Sequence, residues 1–104
     1  MKSIHRLSLS AAALIAGDAS EPYVNVGCSI VNAVAIWDFH GTTDSEQPYA
    51  ADAQGMQSFQ SCPQPRKEVK FTTYEGWGHA DAFKRTYDLS AGQDIYAWLL
   101  TKTR

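Results

Sequence analysis

The sequence predicts an α/β fold: a short parallel sheet of about three strands with flanking helices. Two features lead to it. Apolar runs at residues 9–16, 31–39 and 69–74 are short, rich in β-branched or aromatic residues in the later two cases, and bounded by turn residues, as buried strands are. Between the second and third lies a stretch of helical spacing, and a strand–helix–strand order with short links makes a right-handed parallel unit. With 104 residues the chain is at most one domain. Hydrophobic residues at 44% and charged residues at 19% supply enough apolar surface to fold. The net charge of −2, without any Lys/Arg run, gives no electrostatic footprint for nucleic acid or an anionic membrane.

Residues 1–19 admit two readings. Lys2 and Arg6 precede LSLSAAALIAG, with Gly17 and Ala19 as small residues at a cleavage site, which is the pattern of a signal peptide. The same apolar run reads as a buried strand closed by a small-residue turn, and it is too short to span a membrane as a helix. Residues 17–22 are turn chemistry, followed by a polar connection that carries Cys28. The second strand, 31–39, is closed by Gly41. Asp38 is the charge inside it, read as a hydrogen-bonded residue near a strand end.

Residues 49–62 place Ala53, Met56 and Phe59 or Gln60 on one side of a helix that Gly55 weakens and Pro63 and Pro65 stop. Val69–Tyr74 alternates as a strand does. After the Gly76–His79 turn, GWGH, residues 80–87 read as a helical turn. Ser90 and Gln93 then read as a capping box that starts the last helix. There Ile95, Trp98 and Leu99 make an apolar stripe, with Lys102 and Arg104 at the negative end.

Cys28 and Cys62 are too few for a zinc site and lie in no Cys-x-x-Cys pair, so they are two buried thiols or one disulfide. The disulfide is favoured because each cysteine sits in a polar connection beside a turn residue, Gly27 or Pro63. It implies an oxidising compartment, extracellular or periplasmic, whereas two free thiols would fit the cytoplasm.

In a parallel sheet, catalytic groups gather in the loops after the carboxyl ends of strands, where Asp44 and His79 both fall. A histidine acting as base needs a carboxylate on its other nitrogen to fix its tautomer. A lone histidine beside glycine is more often structural, and it is the Asp44 context that makes His79 the candidate base. Trp77, beside it, lines a substrate pocket or packs. His40, Asp38, Asp44 and His79 lack the spacing of a metal site, so neither metal nor cofactor is expected.

Together Trp37 through Asp44 (WDFHGTTD), Pro48, the YEGWGHA stretch at 74–80, ALIAG at 13–17 and IYAWLL at 95–100 resemble the C-terminal part of an α/β-hydrolase, of the carboxylesterase, feruloyl esterase and polyhydroxybutyrate depolymerase-like group. The likeness runs from about residue 9 to residue 100, and the paired HG-x-x-D and G-x-GH are its specific part. It implies that Asp44 is the triad acid and His79 the base, in the order nucleophile, acid, base, with His40 structural. Gln47 before Pro48, and Ala80 through Phe83 after His79, depart from the family's pattern. No G-x-S-x-G occurs. The resemblance therefore implies that residues 1–104 are a partial domain, lacking the N-terminal half with the nucleophile elbow. Its partners would be that half and a small-molecule or polymeric ester. The other reading is a small secreted, non-catalytic domain that binds a ligand or partner.

Overall fold

Three parallel strands pair in chain order: β1 (Ala11–Ile15), β2 (Ala35–Gly41) and β3 (Val69–Tyr74). The structure is a computed structural model that describes residues 11–102. Lys2, Arg6, the first two positions of the expected strand at 9–16, and Arg104 lie outside the described residues. β1 runs in register from Ala11 opposite Ala35 to Ile15 opposite Phe39, and β2 meets β3 from Ile36 opposite Val69 to Gly41 opposite Tyr74. Five helices complete the order: α1 (Ser20–Val26), α2 (Ser29–Ala33), α3 (Tyr49–Gln60), α4 (His79–Tyr87) and α5 (Ile95–Lys102).

All of β2 is buried, as a central strand covered on both faces must be. Successive side chains of a strand point to opposite faces, and β2 divides accordingly. Ala35, Trp37 and Phe39 pack with Tyr74, Ala82, Ile95 and Trp98, the core beneath α4 and α5. Ile36 joins Ala19, Val31, Met56, Phe59 and Cys62 on the other face, beneath α1, α2 and α3. Asp38 and His40 share that second face by the same alternation.

The expected α/β class and the three strands are present, with differences at their edges. The polar connection before β2 folds into α1 and α2, and Val31 lies in α2 rather than in the strand. Single-turn helices carry too few residues to show a period, and Val31 takes this form because its fully buried side chain fills the core beside α3. The helical turn expected at 80–87 is a nine-residue helix that begins at His79 itself.

No capping box forms at Ser90 and Gln93. The backbone turns left-handed at Leu89 (φ 68°) and Gly92 (φ 93°), so these residues belong to a turn in which the Ser90 N–H donates to Asp88 Oδ1 at 2.8 Å. The cap is Asp94 instead, whose carboxylate accepts the Ala97 N–H at 2.9 Å. At the far end of α5, Lys102 pairs with Glu68 at 2.8 Å, while Trp98 Nε1 donates to the same carboxylate at 3.1 Å. These contacts hold the Glu68 carboxyl below its usual value against the effect of burial.

Cys28 and Cys62 form the expected disulfide, 34 positions apart, tying the start of α2 to the end of α3. That bond fits an oxidising environment. Among the described residues no helix is long and apolar enough to cross a membrane.

α3 also docks on the start of α1 at Gly55. A Cβ there would lie 2.2 Å from the Ser20 nitrogen and 2.3 Å from the Ala19 carbonyl carbon. The glycine that weakens the helix in sequence is thus required by backbone contact. Gly55→Ala sets a helix-propensity gain of about 0.5–1 kcal/mol against overpacking of about 1–3 kcal/mol or more. Because the obstructing atoms are backbone, the clash wins and urea denaturation will show a net loss. Replacing both cysteines by serine will remove roughly 3–4 kcal/mol in the same assay, the loop-closure contribution for a loop of this length.

Candidate active site

The site forms where the turns after β2 and β3 press against each other. Gly41 ends β2 with no side chain, and a Cβ there would lie 2.1 Å from the Trp77 carbonyl oxygen. This close approach lets the Thr42 N–H donate to Tyr74 O (3.0 Å) and the Thr43 N–H to Trp77 O (3.1 Å). The Gly76 N–H donates in turn to Thr42 Oγ1 at 2.7 Å. Asp44 and His79 are carried on the two turns fastened this way.

The Asp44 carboxylate is held on both oxygens. Oδ1 accepts the N–H groups of Glu46 and Gln47, each at 2.8 Å, and Oδ2 accepts His79 Nδ1–H at 2.8 Å. Burial alone would raise its pKa, but the Gln47 N–H, the His79 ring and the Glu46 N–H outweigh that and hold the carboxyl below its ordinary range. With Nδ1 donating to Asp44, the basic nitrogen of a neutral His79 is Nε2. Among the described residues Nε2 has no hydrogen bond, and the His79 side chain is 30% exposed whereas that of Asp44 is fully enclosed. The pair therefore offers a base to an incoming proton donor with its orienting carboxylate shielded from water.

Two of the expected site residues, Asp44 and His79, are thus brought together. The Trp77 ring stacks on Tyr74 at 4.3 Å, and the Arg85 guanidinium lies over the same ring at 4.3 Å. The aromatic that lies along the His79 ring is Phe83, one turn on in α4, at a centroid distance of 6.4 Å and 45% exposed. Helical spacing from His79 would have found it, had a helix been expected to start there.

A second buried layer supports the first. His40 is fully buried, as the structural role implied for it requires. Its Nε2 donates to the Gln47 carbonyl at 2.8 Å and lies 3.3 Å from Asp44 Oδ2, while Nδ1 meets Asp52 Oδ2 at 2.8 Å. Asp52 Oδ1 accepts the Ala19 N–H at 2.7 Å, which places α1 as well. Sequence reasoning missed Asp52, although it stands four residues before Met56 on the stripe that α3 buries.

Asp38 departs from its expected role. It lies mid-strand, completely buried, and among the described residues neither carboxyl oxygen has a hydrogen-bond partner. The Asp52 carboxyl is near enough to act on it but is turned to Ala19 and His40. Burial first, then Asp52, push the Asp38 pKa up to about 10, so it is a neutral acid at neutral pH.

Comparison of the chain with models of known protein families and with characterised proteins gave no significant match.

The two shifted carboxyls act on stability in opposite senses. Asp38, raised in the fold, contributes stability that is full below its unfolded value near 4 and is lost as pH climbs toward about 10. Asp44, lowered in the fold, contributes stability present above that same value and lost as pH falls through its folded pKa. Urea denaturation will accordingly show a more stable protein at about pH 5 than at about pH 8. Asp38→Val will raise stability at the higher pH by roughly 1–3 kcal/mol, the penalty of an unpartnered buried polar group, and will flatten the slope. Equal stability of the parent protein at the two pH values would contradict this account of Asp38.

Proposed function

We propose that this chain supplies the acid and base of a serine-type hydrolase that cleaves carboxylic esters, with Asp44 as the acid and His79 as the base. The observation that carries this reading is the 2.8 Å bond from His79 Nδ1 to an enclosed Asp44 carboxylate, with Nε2 left at the open side. Both groups follow parallel strands, and their order agrees with that of an α/β-hydrolase triad. The nucleophile belongs to a G-x-S-x-G segment outside these 104 residues, in the N-terminal half of the same domain.

In the reaction, His79 Nε2 takes the serine hydroxyl proton as the serine oxygen attacks the ester carbonyl. The imidazolium then gives that proton to the departing alcohol, and water repeats the cycle on the acyl-enzyme. Asp44 holds the ring and stabilises its charged form. Phe83, exposed beside the ring, forms one wall of the approach to Nε2. The disulfide favours an extracellular or periplasmic setting for this hydrolase.

The chain alone will not turn over 4-nitrophenyl acetate, because among the described residues no serine is hydrogen-bonded to His79 for it to activate. Joined to the segment encoded upstream of Met1, it will turn over the ester in a manner blocked by a serine-directed phosphonate. In that protein Asp44→Asn and His79→Ala will each lower kcat/KM by roughly 10³-fold or more. An in-frame stop immediately upstream, or activity that survives both substitutions, would overturn the reading.

A further inference from the structure

The carboxylate that orients His79 is itself gripped from behind by a second histidine. We propose that His40 donates from both ring nitrogens, as a buried imidazolium clamped by Asp52, and that it positions the Asp44 carboxylate for His79. The inference rests on reading Asp44 and His79 as acid and base, and it adds two positioning residues to them.

The argument is a count of hydrogens. His40 Nε2 faces the Gln47 carbonyl at 2.8 Å and Asp44 Oδ2 at 3.3 Å. A carbonyl only accepts, so Nε2 carries a hydrogen. Nδ1 faces Asp52 Oδ2 at 2.8 Å, and one proton must lie in that contact. Asp52 uses its other oxygen to accept the Ala19 N–H at 2.7 Å, as an ionised carboxylate does. Of the two neighbouring carboxyls, Asp38 is the one whose oxygens have no hydrogen-bond partner among the described residues, so Asp38 is the one that stays protonated and Asp52 carries the negative charge. His40 then donates to Asp52 from Nδ1 and outward from Nε2.

Charges thus alternate from the interior to the open side: Asp52 negative, His40 positive, Asp44 negative, then the His79 ring. The side chains of Asp52, His40 and Asp44 are all fully enclosed. A neutral His40 would put the proton of the Nδ1 contact on Asp52 and leave the enclosed Asp44 carboxylate facing no cation from behind, an arrangement that low-dielectric surroundings penalise. The remaining neighbour of His40 is Tyr49, edge-on at 5.8 Å, whose hydroxyl is engaged with Thr73 at 2.8 Å. His40 and His79 approach the same Asp44 oxygen, at 3.3 and 2.8 Å. A cation at His40 therefore fixes the same carboxylate oxygen that His79 Nδ1–H meets.

Histidine-specific ¹⁵N labelling of the full chain tests this. There are three histidines, so His5→Gln and His79→Gln assign the His40 signals by elimination. His40 will show both ring nitrogens protonated, with two ring N–H resonances. A bare Nδ1 with a single N–H would overturn the proposal and would leave the Asp44–His79 pair untouched. In Asp52→Asn the cation is lost, so His40 will keep a single ring N–H, and the His79 Nδ1–H resonance will shift as the Asp44 carboxylate it meets is released. His40→Gln, which keeps a donor for Gln47 without the charge, will shift the same resonance. An unmoved His79 Nδ1–H resonance in either folded variant would overturn the positioning role. If instead the joined hydrolase keeps its activity in Asp44→Asn, the acid–base reading fails while the ring-nitrogen result for His40 still stands.

Discussion

The site depends on β2 being buried on both faces while only one face is apolar. Trp37 and Phe39 anchor the strand on the core beneath α4 and α5, where aromatic contacts at 4.7 Å between them and 5.5 Å from Trp37 to Trp98 leave little freedom of position. The opposite face begins with Ile36 and continues with Asp38 and His40, so polar groups are carried into the interior by the same alternation that buries the apolar ones. Buried polar groups need partners. Asp52 on α3 and the turn that holds Asp44 provide them for His40. The geometry at Asp44 therefore follows from strand period and from the helix that must cover the polar face.

Much of this was legible in the sequence, for identifiable reasons. β3 alternates cleanly, α3 has an uninterrupted period with prolines after it, and the two turns after β2 and β3 carry the polar residues that a parallel sheet places at its carboxyl end. The elements that were hidden are short or non-local. α1 and α2 are too brief to show periodicity. The contact between His40 and Asp52 joins residues whose chemistry gives no local sign of pairing. The apparent capping box at Ser90 and Gln93 satisfied a local rule, and the left-handed backbone at Leu89 and Gly92 overrode it.

Glycine marks both places where segments meet most closely. At Gly41 the end of β2 touches the Trp77 carbonyl, and at Gly55 a turn of α3 touches the start of α1. In composition these residues look like breakers of regular structure. In the fold they are the points at which backbone meets backbone, and one of them sets the distance between the two turns that carry Asp44 and His79.

The disulfide divides the site covalently. Cys28 and Cys62 close a loop that contains β2, His40, Asp44 and Asp52, whereas His79 lies beyond it on a segment that returns to the sheet through β3. Asp44 and its supports thus belong to one tethered unit, and His79 reaches it only through non-covalent contacts. Thermal opening of the kind that precedes exchange or proteolysis can swing the segment with α4 away without crossing the bridge. Of the two partners, the histidine is the one that leaves first and must find its way back to a carboxylate that has stayed in place.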